Sequence, residues 1–418
     1  MTLFCIFLFI HNIIIKSTIV FPFKKNDTEF NPRKEKDLFM YLNKKIYINI
    51  SIGTPSQIIP TFLNMEKTTF FFSNEENKIY NKQQSSSYKQ LQPNKSFSKE
   101  FFEYGNFSSE NFIFKNEKNE EIKINNFIFI LINKNKYSYS KPGEMGLKLY
   151  NNIILSNSSF IFQLKDKKII KNIIFSFIFD NNNEGKFIIG KYPHEYNYKK
   201  YKKENLRLTY SGKFMDIPVW TTQFDNIYLG DKIIKHDDIH FNFKIEHSCI
   251  ITTYNFFLNC SEYFFKEYLE NKKCKIDRNH TGNINIYCDD DIDITKFPIL
   301  KFEHKIWNFT FEFDYNDLFV KYGNKYYFLI IFDLYIYNTW TLGEIFLKKY
   351  TLVFDHDNKV IGFYYPYNKE KSILFIIFLF ILIICIGVLI YIYIKFLNKR
   401  KRRIRNNEID EVYDYLPK

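Results

Sequence analysis

Cysteine is scarce in this 418-residue chain: there are six, and no two form a CxxC pair. That spacing leaves a structural zinc site as the lesser alternative to disulfides, and neither a metal nor another cofactor is expected. A dense basic stripe with interleaved aromatics is also missing, which argues against a nucleic-acid partner despite a formal net charge of +13. The tail 395–418 supplies +4 of that charge, from eight Lys/Arg against four Asp/Glu. The remaining +9 is spread among many acidic residues. Helix-like segments are few, the best being Ser261–Leu269 and Glu344–Lys349.

Charge is absent altogether from Ser372 to Ile394, a run long enough to cross a bilayer as a helix. Lys395, Lys399, Arg400, Lys401, Arg402, Arg403 and Arg405 follow it, which predicts a cytosolic tail by the positive-inside rule. The tail's basic cluster also suits anionic headgroups. Its Tyr413-Asp414-Tyr415-Leu416 is similar to a Tyr-x-x-apolar endosomal sorting signal. At the other end, residues 1–20 are apolar, too short for a second span, and without a basic n-region. They read as a signal peptide, with a signal anchor as the alternative. The expected arrangement is therefore a type I, single-pass membrane protein. Its body lies in the lumen of the secretory or endolysosomal pathway or at the cell surface.

Between these ends, short apolar runs rich in Ile, Phe, Tyr and Val predict a mainly β body. Residues 21–38 are polar and charged enough to read as a pro-segment or linker. Cys249, Cys260, Cys274 and Cys288 are an even number in an oxidising compartment. Three pairings are possible. Closeness in sequence favours Cys249–Cys260 and Cys274–Cys288. Asn26, Asn49, Asn94, Asn106, Asn157, Asn259, Asn279 and Asn308 begin Asn-x-Ser/Thr sequons, candidate glycosylation sites.

Tyr41–Ser73 contains Ile52-Gly53-Thr54-Pro55-Ser56-Gln57. This stretch resembles the first hairpin of pepsin-like aspartic proteases. Further landmarks follow in order. They are Tyr104-Gly105, Gly143–Leu147, Ser159–Leu164, Phe175–Phe177, Gly185–Gly190, Ile217–Val219, Ile227–Gly230, Phe297–Leu300 and Asp317–Phe319. Trp340–Tyr364, WTLGEIFLKKYTLVFDHDNKVIGFY, is similar to the family's terminal signature. The resemblance spans about 41–366 and implies a two-lobed β fold, with lobes over 39–205 and 206–366. It implies that Tyr104 and Gly105 belong to a flap covering a peptide-binding cleft. It also implies that Gly146 and Gly343 sit beneath the two catalytic loops.

The family's chemistry needs two carboxylates that share a proton and hold a water, one from each lobe. Thr hydroxyls normally brace the two loops. Counting from Gln57, the first position falls on Asn64, in the loop Asn64-Met65-Glu66-Lys67. Aligning the second lobe over Ser248–Phe264 puts the second position at Ile251. No Asp-Thr-Gly or Asp-Ser-Gly occurs anywhere in the chain. Neither Asn nor Ile can act as an acid or base, so no catalytic residue is retained on this alignment. Glu66 and Glu246 are the carboxylates near the two loops. The expected function is an inactive, membrane-anchored homologue that binds peptide or protein. The alternatives are an active aspartic endopeptidase using misaligned carboxylates, and a surface glycoprotein whose cleft has no ligand.

Overall fold

The computed structural model describes residues 18–25, 46–73, 80–92, 104–116, 118–134, 143–149, 158–180, 184–214, 217–234, 239–278, 282–336, 338–365 and 369–414. Two units are resolved, 1–365 and 366–418.

In the first unit, alternation of apolar and polar residues sets the strands. Ile46, Ile48, Ile50 and Ile52 all point inward at 1 % exposure or less, with Tyr47, Asn49 and Ser51 between them. That period of two is the pleat of a strand with one buried face. The strands of the first lobe are β1 (Ile19–Lys25), β2 (Ile46–Ile52), β3 (Gln57–Asn64), β4 (Phe70–Ser73), β5 (Lys89–Gln92), β6 (Tyr104–Lys115), β7 (Glu121–Lys134), β8 (Gly143–Gly146), β9 (Ile174–Phe179) and β10 (Gly185–Ile189). Those needed from the rest are β11 (Leu206–Tyr210), β12 (His240–Phe243), β13 (Ile250–Thr253), β14 (Cys274–Arg278), β15 (Asn283–Asp289), β16 (Ile330–Asp333), β17 (Thr339–Leu342), β18 (Leu352–Asp355) and β19 (Val360–Tyr364).

One sheet of 13 strands runs β11-β19-β18-β9-β10-β1-β2-β3-β8-β4-β7-β6-β5. It joins strands from both ends of the body, so the lobes share a continuous hydrogen-bonded floor. A nine-stranded sheet in the second lobe is built around β12-β17-β13-β16-β15. A further sheet of four strands packs there as well. The core is strongly aromatic. Phe311 alone lies within 6 Å of the ring centroids of Phe224, Trp307, Phe309, Phe346, Tyr350 and Phe363. Such pairs each contribute about 0.5–1.5 kcal/mol beyond the area they bury.

The expected mainly β, two-lobed fold is therefore what the chain forms. Both anticipated helices are present, Glu344–Lys349 as an α-helix and Ser261–Leu269 inside a longer helical run from Tyr254 to Glu270. One segment corrects the sequence reading. Ile19–Lys25, divided there between leader and linker, is a strand in the middle of the sheet. It pairs with β10 and β2. Ile19, Phe21 and Phe23 are at most 4 % exposed, so the short alternating run is core. Residues 1–17 and 26–45 lie outside the described residues, and with them the rest of the leader and linker.

Cys274 and Cys288 form a disulfide across directly paired positions of β14 and β15. The other anticipated bridge is absent: Cys249 and Cys260 are free and buried. Cys249 lies under the crossing of β17 with the loop before β13, whereas Cys260 ends a helix and faces the core. Burial pushes the Cys249 thiol up to about 12 and the Cys260 thiol well above its ordinary value. Both thiols should resist maleimide in the native protein at neutral pH and react fully after unfolding without reduction. Recovery of a Cys249–Cys260 peptide in a non-reducing digest would contradict this.

Of the sequons, Asn49 and Asn308 are exposed. Asn259 is half-buried, its Nδ2 donating to the Asn255 carbonyl at 2.9 Å. Asn106 is only 6 % exposed within β6 and has no room for a glycan in the folded body. Asn26, Asn94, Asn157 and Asn279 lie outside the described residues.

The second unit contains the helix Lys369–Asp414. Its stretch Ile377–Lys401, with mean hydropathy 3.1, is long and apolar enough to cross a membrane. The helix continues through much of the basic tail, and Tyr415-Leu416 of the sorting-like motif fall outside the described residues.

Candidate functional site

Each lobe contains the same small topological unit. In the first, β3 runs parallel to β8, pairing Asn64 with Gly146, and β8 runs antiparallel to β4, pairing Met145 with Phe70. In the second, β12 runs parallel to β17 up to Phe243–Leu342, and β17 runs antiparallel to β13, pairing Leu342 with Ile250. The loops 64–69 and 244–249 join the outer strands of each unit and fold over a glycine. A Cβ on Gly146 would sit 2.4 Å from the Lys67 carbonyl oxygen. One on Gly343 would sit 2.3 Å from that of His247 and 2.4 Å from that of Cys249. The carbonyls of Lys67 and His247 accept the amides of Lys148 and Glu344 at 2.9 and 2.7 Å. Both glycines therefore lie where the sequence placed them.

Superposing the two registers corrects the second expected position. Lys67 and His247 occupy equivalent places, as do Phe70 and Ile250. The counterpart of Asn64 is therefore Lys244, one residue beyond the Phe243–Leu342 pair, and not Ile251. Ile251 lies on the strand that leaves the loop, paired with Thr341 and Ile331. The alignment was drawn off by Ser261-Glu262-Tyr263-Phe264, which lies two turns inside the helical run rather than at its start. A usable signal was present. Asn64-Met65-Glu66-Lys67 and Lys244-Ile245-Glu246-His247 share an apolar residue, a Glu and a basic residue in sequence.

The centre of the site is made of these two loops. Asn64 is 8 % exposed, and its Oδ1 accepts the amides of Glu66 and Lys67 at 2.8 and 3.1 Å. An amide oxygen can hold this turn as a carboxylate would, but it carries no titratable proton. Lys244 reaches across from the second lobe and pairs with Glu66 at 2.5 Å. Glu66's carboxyl, which burial alone would push up, is drawn below its ordinary value by Lys244, with smaller contributions from His247 and Lys67.

Glu246 makes the second link between lobes. Its Oε2 accepts the backbone amide of Met65 at 3.1 Å. Its Oε1 is buried without a hydrogen-bond partner. Burial pushes this carboxyl up to about 7; the Met65 amide draws it down and nearby Glu66 raises it further. Trp220 adds a third link, donating Nε1–H to the Leu147 carbonyl at 2.7 Å. Lys25 and buried Glu344 pair at 3.0 Å beside the second loop. Apolar Met65 and Ile245 stand at the positions next to Asn64 and Lys244, and the interlobe bracing passes to Glu246 and to the Lys244–Glu66 pair.

This arrangement does not provide proton sharing between like carboxylates. An amide and an ammonium occupy the two positions, and the ammonium is neutralised by a neighbouring carboxylate. No group of three or more His, Cys, Asp or Glu among the described residues is placed to hold a metal ion. Tyr104 opens β6 opposite Lys134, with a register shift before Gly105, and Gly105 lies against Ile130. β5 pairs with β6, but the segment 93–103 joining them lies outside the described residues.

Comparison with known proteins bears on this geometry. The sequence profile described as eukaryotic aspartyl protease matches residues 46–364. Among solved structures, basic 7S globulin from soybean is similar at a TM-score of 0.59 with 12 % identity, covering 83 % of this chain and 96 % of the globulin. Conglutin gamma, a basic 7S globulin from lupine seeds, is similar at 0.59 with 13 % identity, covering 85 % and 96 %. At those identities the likeness is one of fold. No curated protein matches.

Proposed function

Because this chain belongs to the eukaryotic aspartyl protease family, we propose that Asn64 and Lys244, matched by the strand registers of the two lobes, stand at that family's two carboxylate positions and that the chain is a catalytically silent, membrane-anchored binding protein. The single observation that carries the reading is the Lys244–Glu66 pair at 2.5 Å, which occupies the centre of the site. Losing both carboxylates removes general acid–base assistance worth about 10²–10⁴-fold, together with the positioning of the attacking water.

The ligand class is an extended peptide or protein segment, received in the cleft between the lobes beneath a flap that includes Tyr104 and Gly105. Strand-like pairing would supply its affinity. The apolar helix with its basic flank supports type I anchoring, with the body luminal or extracellular. The same proposal includes a leader ending ahead of the strand at Ile19 and glycans at the exposed Asn49 and Asn308.

The competing reading is proteolysis by Glu66 and Glu246, which hold equivalent places in the two loops. Their environments do move their carboxyls apart, as an acid and a base would require. Against it, Glu66 is tied to Lys244, and Glu246 is buried with one oxygen on a backbone amide.

The test uses the full-length protein in detergent and a quenched peptide library from pH 3 to 7, with and without pepstatin. The expected result is no cleavage above the blank. Cleavage that pepstatin abolishes, or that Glu66→Gln or Glu246→Gln removes, would overturn the proposal.

A further inference from the structure

The strand β14, Cys274-Lys275-Ile276-Asp277-Arg278, is held on one side only: among the described strands it pairs with β15 and with no other. The Asp289 amide donates to the Lys273 carbonyl at 2.8 Å, which sets the hydrogen-bonded pairs of this hairpin at 273, 275 and 277. The N–H and C=O groups of Cys274, Ile276 and Arg278 therefore point away from β15, along the open side. Lys275, Ile276 and Arg278 are exposed, and Asp277 is half-exposed. Ile276 stands opposite fully buried Ile286, so the apolar face of the sheet reaches this rim and stops there, with Ile276 37 % exposed. No proline or bulge interrupts the strand, and the disulfide to Cys288 pins its first residue.

Lysine on an open edge usually repels a second strand. Here the charges alternate in a register that attracts one. Laid antiparallel about a twofold axis at Ile276, two copies set Ile276 against Ile276, Cys274 against Arg278, and Lys275 against Asp277 twice. The outward-pointing backbone groups then meet as hydrogen-bonded pairs. The two Lys–Asp pairs fall at the non-hydrogen-bonded positions, where facing side chains lie closest. The open strand β11, at one end of the 13-stranded sheet, has no such register: a twofold axis at Leu208 would bring Lys203 opposite Lys213. We propose that β14 is a self-complementary docking edge whose partner is the same edge of a second copy of this chain. Each copy contributes a strand of five residues, a short ladder that suits a weak, reversible dimer rather than an obligate one.

The test mixes full-length chains of ordinary and heavy-isotope protein in detergent, both carrying Thr281→Ala to remove the sequon at Asn279 beside the strand. A carbodiimide then couples carboxylates to amines in contact, and mass spectrometry reads the isotopes in each joined pair. The expected product joins Lys275 of one isotope to Asp277 of the other. Lys275→Asp and Asp277→Lys, made singly, turn two attractions into two repulsions, and each should weaken the dimer about tenfold in sedimentation equilibrium. Made together they exchange the charges and should restore it. Association through the apolar helix alone would leave all these variants alike and give no mixed-isotope product at 275 and 277. That result, affinities unaltered by the single changes, or no recovery in the double variant would overturn the inference.

Discussion

Gly343→Ala should leave almost no folded protein. The new methyl would meet the carbonyl oxygens of His247 and Cys249 at 2.3 and 2.4 Å and the His247 carbonyl carbon at 2.9 Å. These are backbone atoms of a loop whose amides and carbonyls are already committed, so the clash cannot be relieved by turning a side chain. Relief requires parting β12 from β17, and a cost of about 4 kcal/mol or more is expected, at the extreme of single substitutions. Gly146→Ala should behave alike, with its methyl 2.4 Å from the Lys67 carbonyl oxygen. A useful control is Gly323→Ala, in a turn at φ 58° with nothing within 4 Å of the new Cβ. Only its left-handed backbone is strained, at about 1–2 kcal/mol. Urea midpoints and recovered folded yield would measure all three. A Gly343→Ala protein as stable as Gly323→Ala would refute the close crossing.

The second large effect concerns pH. Burial raises the Glu246 carboxyl to about 7 from an ordinary value of 4.5, so between those limits the folded chain holds a proton that the unfolded chain has released. Stability from this group is therefore full below about pH 4.5, and it is lost as pH rises through 7. The span corresponds to about 3 kcal/mol. Glu246→Gln removes the titration while keeping shape and an oxygen for the Met65 amide. The variant should consequently gain on the native protein as pH rises from 4.5 to 8.

His304 and His356 titrate in the opposite sense. Burial lowers both to about 4, so they cost stability as pH falls below about 6.5. They are common to the two proteins and cancel in the difference. Urea midpoints at pH 4.5, 6 and 8 would decide it, and parallel curves for the two proteins would show that Glu246 is not buried as described.

The parts of this architecture that sequence exposed are those set by short-range constraints. Trp340–Tyr364 places a strand, a helix and two further strands in one stretch, and each is present as β17, Glu344–Lys349, β18 and β19. Cys274 and Cys288 were legible because a hairpin brings near neighbours face to face. Cys249 and Cys260 are near neighbours too, but a strand and a helix separate them, and closeness in sequence misleads there. Lys244 was hidden for a different reason. Once the carboxylate, Thr and Gly of a loop have all changed, only the pairing of its flanking strands identifies it. That pairing is long-range, and a locally attractive Ser-Glu-Tyr-Phe outweighed it. β1 was missed because seven residues with a proline among them are a weak strand signal beside an apolar leader.

The shared floor of 13 strands also dictates when this protein can fold. β9 belongs to the first lobe, yet one of its neighbours is β18, which begins at Leu352. During synthesis an N-terminal half that has otherwise paired its strands must wait for nearly 180 further residues before that side of β9 is covered. Until then it carries an open strand edge rich in Phe and Ile, the kind of surface on which chains join one another. The closing strand arrives immediately ahead of the apolar helix. The sheet is therefore completed only as that helix is about to be made, and a chain truncated before Leu352 is expected to need a chaperone for as long as it exists.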